Sequence, residues 1–381
     1  MNVIFVGLPG VPKRSRACDI RLTFFANLLV KKNDVTILNR YASSRSLKIK
    51  DTQLVEEVNV EEIIEPRNTG RLATAILYIL SILYEPIKII LLNKKHKIDI
   101  VHVYSGHYID FLLYRIISRV IGAKVIYQYV EYRTAFKPRG LYHKINSRLC
   151  DRYGMRLFDG VLPISNYLEE KTKEVAPHVP TLKIPPICDF DLFKNNNKTI
   201  THERPYLLFC ASADYLEVIE FVVDSYRKSA ISSNKDLVLV LSGNRERIEQ
   251  LRREWKDCKI LTQLPYDELI AYFKHAYALF IPLRPIISDI ARFPNKVCEY
   301  LASEGVIITT DVGEMSYYFK DGENAVVAKD YSIDSMLECL DKLHNGEYDY
   351  ENIRLQGYTT GKQLFDMESY AIKLQSFIEA I

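Results

Sequence analysis

The stretch Arg292-Phe293-Pro294-Asn295-Lys296-Val297-Cys298-Glu299-Tyr300-Leu301-Ala302 brings together groups that could hold a charged, hydroxylated ligand. Pro294 suits the first position of a helix, where its missing N–H costs nothing. At 100° per residue Val297, Cys298, Leu301 and Ala302 share one face, with Lys296 and Glu299 on the opposite, polar one. Gly305 is placed to end the helix. Val306 to Thr310 is rich in β-branched residues and reads as a buried strand. A helix N-terminus, an ammonium and a carboxylate at one spot suit a ligand with phosphates at one end and hydroxyls at the other. The same spacing also describes an ordinary amphipathic helix with an ion pair one turn apart.

The elements around this stretch alternate. Asn2 to Val6 reads as a strand, Gly7 to Pro12 as a loop, residues 18–31 as a helix and Val35 to Leu38 as a second strand, which is a βαβ unit. The loop lacks Gly-x-Gly-x-x-Gly, so it is no dinucleotide fingerprint. Further strands are expected at Ile98 to Tyr104, Ala123 to Tyr129 and Asp159 to Ser165. A second set runs Tyr206 to Cys210, Leu237 to Ser242, Lys259 to Leu261, Ala278 to Pro282 and Val306 to Thr310, with helices between. Two such sets predict two doubly wound α/β domains. The polar run Lys194 to Lys198 reads as their linker. The boundaries are therefore 1–195 and 196–361, with a last amphipathic helix over 362–381.

A chain of 381 residues with 48% hydrophobic and 26% charged residues has the composition of a globular protein of two domains. Its 7 cysteines are scattered without a CxxC pair, which argues against a zinc site or disulfide framework and fits a reducing compartment. Met1 to Gly7 reads as a strand and a glycine turn rather than a signal peptide. The net charge of +3 hides an asymmetry: residues 1–195 hold 30 Lys/Arg against 19 Asp/Glu, and residues 196–381 hold 21 against 29. Only the basic half is then suited to an anionic partner. No interleaved basic and aromatic motif of a nucleic-acid reader is present, so no nucleic acid is expected. Leu72 to Leu92 is apolar over nearly a membrane span, but Glu85, Pro86 and Lys88 interrupt it, so a buried or surface-seeking helix is expected.

The 294–302 stretch resembles the donor-sugar motif of GT-B glycosyltransferases of the family 4 type, "P-x-K-x-x-E-Y-x-A-x-G-x-P-V-I", at Pro294, Lys296, Glu299, Tyr300 and Ala302. The family's Gly falls on Glu304 and its Pro on Val306. Asp311-Val312-Gly313-Glu314, Asp321 to Ala325, Asp99-Ile100-Val101-His102 and the junction at Ile184 to Phe193 also resemble the family. The resemblance implies the GT-B architecture, two Rossmann-like domains facing across a cleft, with the last helix returning to the first. It implies that Glu299 receives the donor ribose, that Arg292, Asn295 and Pro294 line the donor site, and that the loop of Gly7 and Gly10 approaches the donor phosphates or the acceptor, where plain turn chemistry is the other reading of the two glycines. The family's first motif Glu would fall on Ala291; Asp289 is the nearest carboxylate, and either it or the backbone N–H groups of 288–292 would face the sugar. The basic residue after the strand at 206–210 is missing from Ala211 to Asp214, so phosphate neutralisation falls to Lys296, Arg292 or Arg284. The family's His after the strand at 123–129 is also missing, leaving Glu131 and Arg133 at that edge.

What the resemblance implies is a retaining hexosyltransferase with Lys296 and Asp289 as catalytic residues. It would use a nucleotide-diphosphate sugar as donor, no cofactor and no obligatory metal. Its acceptor would be a saccharide or lipid-linked saccharide in surface polysaccharide biosynthesis. The expected place is the cytoplasm, peripheral to an anionic membrane face. A non-catalytic sugar-nucleotide binder and a sugar-nucleotide epimerase on the same architecture are the alternatives. Transfer or slow donor hydrolysis, binding without turnover, and a new free sugar would respectively tell the three apart.

Overall fold

The computed structural model describes residues 1–11, 17–44, 47 and 54–381. Pro12, at the end of the glycine loop, lies outside the described residues. The chain forms two compact units, Met1–Ile187 with Met367–Ile381, and Cys188–Asp366.

The first unit is built on six parallel strands, β1 (Asn2–Pro9), β2 (Asp34–Arg40), β3 (Asn59–Glu62), β4 (Ile100–Val103), β5 (Lys124–Tyr129) and β6 (Gly160–Pro163), in the order β3-β2-β1-β4-β5-β6. The runs Val3–Val6 and Ile100–Val103 are buried throughout because helices cover both faces of the sheet. The helices are α1 (Ala17–Val30), α2 (Arg71–Lys95), α3 (Tyr108–Ile121), α4 (Leu141–Tyr153) and α5 (Asn166–Val175). Parallel crossovers are right-handed. The connection from β1 to β2 runs one way along the sheet, and those from β3 to β4, β4 to β5 and β5 to β6 run the other. So α1 packs on one face and α2, α3 and α4 form a layer on the other.

α2 is turned against its composition. It buries Ser81, Glu85 and Ile89 and leaves Leu72, Ile76, Ile79, Leu83, Ile87 and Leu91 exposed. Of the two expectations for this helix, burial is therefore overturned. The reason is a buried charge cluster. Arg40, at the end of β2, donates from Nε to Glu85 Oε2 at 2.8 Å and from both Nη atoms to Asp110 at 2.8 and 2.9 Å. Tyr114 donates to Glu85 at 2.9 Å, and the Ser105 hydroxyl donates to Asp110. Burial works against the Arg40 charge, but Tyr114, Glu85 and Asp110 raise its pKa above the ordinary value. The Tyr41 N–H donates to Ser81 Oγ at 3.0 Å. Polar bonds thus fix the inner face of α2, and its apolar residues face outward.

The second unit opens with α6 (Phe190–Lys194) and repeats the first topology: β7 (Tyr206–Ser212), α7 (Leu216–Lys228), β8 (Asp236–Ser242), α8 (Arg245–Glu254), β9 (Lys259–Leu261), α9 (Tyr266–His275), β10 (Ala278–Phe280), α10 (Ile287–Ile290), α11 (Lys296–Ala302), β11 (Ile307–Thr310), α12 (Glu314–Tyr318), β12 (Val326–Ala328), α13 (Ile333–Asn345) and α14 (Tyr350–Leu364). Its sheet order, β9-β8-β7-β10-β11-β12, matches that of the first sheet strand for strand. The final helix, α15 (Glu368–Ala380), belongs to the first unit, where it packs on α1 and Asn33 Nδ2 donates to Gln375 Oε1 at 2.7 Å.

The crossovers fall at 187/188 and 366/367 rather than at 195/196 and 361/362. On the first side Arg21 holds the carbonyls of Ile184 and Pro185 at 2.8 and 2.7 Å. On the second, Phe190 and Phe193 are buried, and the Cys188 N–H donates to the Phe365 carbonyl at 3.1 Å. The polar run 194–198 is tied into the second unit, with Lys198 bonded to Asp267 at 2.9 Å.

Removing one member of a buried ion cluster leaves the others uncompensated, at a cost of about 3–5 kcal/mol. Arg40→Ala should lower the stability of the first unit by that amount in urea denaturation; a loss under about 1 kcal/mol would show that the cluster does not fix α2.

Candidate functional site

In an open parallel sheet, ligands bind beyond the carboxyl ends of the strands where the chain reverses its direction of winding. In the second unit that point lies between β7 and β10. The loop after β10 is held there by threonines of β11. Thr310 Oγ1 accepts from the Leu283 N–H at 2.9 Å and donates to the Leu283 carbonyl at 2.6 Å, and Thr309 donates to the Ile281 carbonyl at 3.0 Å. Gly313, with φ +59°, lets the chain after β11 approach this loop: a Cβ there would lie 3.1 Å from Ile290 Cα.

Asp289 sits at the centre of the loop and is completely buried. It accepts from Arg284 at Nε (2.9 Å), Nη2 (3.1 Å) and the backbone N–H (3.1 Å), and it pairs with Arg292 Nη2 at 3.1 Å. Burial pushes its carboxyl up, but Arg284 and Arg292 outweigh burial and hold it below the usual carboxylate range. Both oxygens are thus engaged by guanidinium groups, and Asp289 aims cations rather than a free carboxylate. Arg284 also donates to Glu217 at 2.9 Å. Arg292 lies over the Tyr215 ring at 4.8 Å, and its buried Nε has no hydrogen-bond partner among the described residues. Ala291 is buried, and no carboxylate replaces the one expected there.

α11 begins at Lys296, with Asn295 as its cap and Pro294 outside it, and has 7 residues. The helix expected to begin at Pro294 and run toward Gly305 is therefore shortened, and the chemistry of the spot rests on side chains rather than on a helix end. The expected solvated polar face is also corrected: Glu299 is buried. Its Oε2 pairs with Lys296 Nζ, and its Oε1 accepts from Tyr266 OH at 2.9 Å. Burial presses the Lys296 pKa down, but Glu299 raises it further, so the ammonium stays charged at neutral pH. The Tyr300 hydroxyl accepts from the Cys210 N–H at 3.3 Å, which fixes α11 to the end of β7. Gly305 does not end the helix by its flexibility. Glu304 takes the left-handed turn, with φ +56°, and Gly305 is needed because a Cβ there would meet Leu279 Cδ1 at 2.0 Å.

Sequence reasoning passed over Tyr266, Tyr215 and Glu217; they come from other helices or loops, and no spacing links them to the motif. Gly10 belongs to the first unit, at the end of β1, with φ +71°. Also in the first unit, Arg133 turns inward to donate to the Ser105 carbonyl at 3.2 Å, while Glu131 is exposed. His102 is a core residue stacked on Phe5, and burial, then Arg21, lower its pKa to about 3. Among the described residues no group of three or more His, Cys, Asp or Glu side chains is placed to hold a metal ion.

Residues 192–360, nearly all of the second unit, match the family model of glycosyl transferases group 1. No curated protein matches the chain by sequence. Among solved structures the chain is similar to sucrose-phosphate synthase from Thermosynechococcus elongatus, with 13% identity and a TM-score of 0.74 over 100% of this chain and 98% of that one. It is similar to HepE from Anabaena in complex with UDP, with 12% identity and a TM-score of 0.72 over 100% of both chains. WaaG, a glycosyltransferase involved in lipopolysaccharide biosynthesis, matches at 11% identity and a TM-score of 0.63 over 99% of both. At these identities the structural likenesses establish the fold, which is GT-B.

The Asp289 carboxyl is held below the ordinary value of about 3.9, so its stabilisation is complete above that pH and is lost as pH falls through the folded-state value. Asp289→Asn should remove this acid dependence below about pH 4 and lower stability at pH 7 by about 3 kcal/mol, read by urea titration at several pH values. Glu304→Gly should relieve about 1–2 kcal/mol of left-handed strain. It would lose only the exposed pair with Arg354 at 2.6 Å, worth up to about 1 kcal/mol. A net gain of about 0.5–1 kcal/mol in the same titration is expected.

Proposed function

We propose that this chain, a glycosyltransferase of the GT-B fold with a group 1 domain in its second unit, is a retaining hexosyltransferase of the family 4 type. It moves a sugar from a nucleotide-diphosphate sugar to a saccharide or lipid-linked saccharide. UDP-sugars are the first donors to test, because HepE structures carry UDP and UDP-glucose. The reaction serves surface polysaccharide assembly in the cytoplasm, at the inner face of the membrane. The observation that carries the reading is the cluster of Arg284, Arg292 and Lys296 at the switch point of the second sheet, aimed by two buried carboxylates.

In the proposed reaction the bond from the anomeric carbon to the diphosphate oxygen breaks, and its electrons stay with the diphosphate. A new bond forms to the acceptor hydroxyl oxygen, whose proton is released. The chain's part is to bind and stabilise the leaving charge without reorganising water, through fixed cations. Arg284 is occupied by Asp289 and Glu217, so Arg292 and Lys296 are the cations left for phosphate. Lys296 keeps its pair with Glu299 and offers its remaining N–H donors to the diphosphate, and Glu299 accepts from the ribose hydroxyls while Tyr266 keeps Oε1 in place. Asp289 acts on the sugar through Arg292 and the 288–292 backbone. Pro294 and Asn295 set the turn into α11. No cofactor or metal enters this scheme.

Glu299→Ala should weaken UDP binding by about 1.5–3 kcal/mol in calorimetry, the scale of a charge-assisted hydrogen bond. Lys296→Ala should lower kcat for diphosphate release by roughly 10²–10³ at saturating donor. Tight UDP binding with no turnover on any acceptor would favour a non-catalytic binder instead, and unchanged kinetics in both variants would sink the assignment of these residues.

A further inference from the structure

We propose that the outer face of α2, α3 and α4 is a docking surface for an anionic lipid bilayer. This deepens the membrane-face reading above, rests on it, and names the residues responsible. α2 is long and apolar enough to cross a membrane by length and composition, yet it buries only Ser81, Glu85 and Ile89. The exposed row from Leu72 to Leu91 covers about 30 Å at 1.5 Å per residue. No charged side chain interrupts it: Glu85 is buried, and Lys88 is turned to Glu61 at 2.8 Å. Exposed apolar residues continue the face onto α3, at Ile116 and Val120, and onto α4, at Leu141, Tyr142 and Ile145.

Charge identifies the occupant. The acids of these three helices are Glu85, Asp110 and Asp151, and all three point inward. Glu85 and Asp110 bind Arg40, and Asp151 caps the loop before α4 through the Thr134 N–H at 2.7 Å. The outer face therefore carries no exposed carboxylate. Its cations are exposed: Lys94 and Lys95 at one end of α2, Arg119 on α3, and Lys144 and Arg148 on α4. An apolar stripe bordered by cations of one sign matches the acyl boundary and headgroups of an anionic leaflet. A second copy of the chain would set these cations against each other. Insertion across the bilayer would tear Glu85 and Ser81 from Arg40 and Tyr41 and leave them in hydrocarbon. The helix lies in the plane of the leaflet, with its polar face still on the sheet.

The test is flotation of the full chain with vesicles of phosphatidylglycerol and phosphatidylcholine, against phosphatidylcholine alone, at low and high salt. The expected result is flotation with the anionic vesicles that salt reverses. Leu83→Asp should weaken it about tenfold or more, and the pair Lys144→Gln with Arg148→Gln should weaken it about thirtyfold, at roughly fivefold per cation near an anionic surface. Ile372→Asp, exposed on α15, should leave it unchanged. All four positions are on the surface, so thermal unfolding should match the parent. Flotation that survives in both variants overturns this surface and leaves the membrane-face reading standing. No flotation with anionic vesicles overturns both. A dimer that Leu83→Asp dissociates assigns the face to a second copy, and release by detergent alone assigns it to a span; either result overturns the proposal. None of these readouts depends on glycosyl transfer.

Discussion

A carboxylate taken out of water must be met by cations, and each unit arranges the carboxyl edge of its sheet round such a group. In the second unit Asp289 gathers Arg284 and Arg292, and Glu299 gathers Lys296 and Tyr266. In the first, Glu85 and Asp110 close on Arg40. The parallel sheets supply the rigid frame, and the ion clusters decide which way loops and helices face. The cations of the site are preorganised because their counter-charges are buried beneath them. Such fixed charges can stabilise developing charge without reorganising at the moment of reaction.

The two clusters lead to different outcomes. Around Asp289 two carboxylates, Asp289 and the exposed Glu217, are set against two guanidinium groups, and the cluster fixes the loop after β10. Around Arg40 two carboxylates meet one guanidinium, and the cluster orients α2 against the sheet and α3. An apolar helix held through its polar side presents hydrocarbon to the surroundings, which a soluble core helix does not.

Much of this was legible in the chain. Runs of apolar residues buried on both faces mark β1, β4, β8 and β11, and the group Pro294 to Ala302 marks α11 and the turn into it. What was hidden has common causes. β3 (Asn59–Glu62) carries acids because it lies at the edge of its sheet and is only partly buried, and β12 (Val326–Ala328) is too short for its pattern to be read. The burial of Glu299 and the engagement of Asp289 depend on Tyr266 and Arg284, which no local period connects to them. The polarity of α2 could not be read from its own residues, because Arg40 lies 45 positions before Glu85. Glu304 in a left-handed turn breaks a local rule at the point where the resembled motif has glycine.

The return of α15 to the first unit has a consequence for synthesis. Leu374 and Ile378 are part of the first unit's core, and Phe377 packs against Gly160, where a Cβ would meet its ring at 2.8 Å. The second unit is one continuous segment and is complete once Asp366 has left the ribosome. The first unit begins 187 residues earlier, yet must wait for the final helix with one side of its sheet incompletely covered. Translation order and folding order are therefore opposed in this chain: the segment made second finishes first, and the amino-terminal unit is the one exposed to misassembly during elongation.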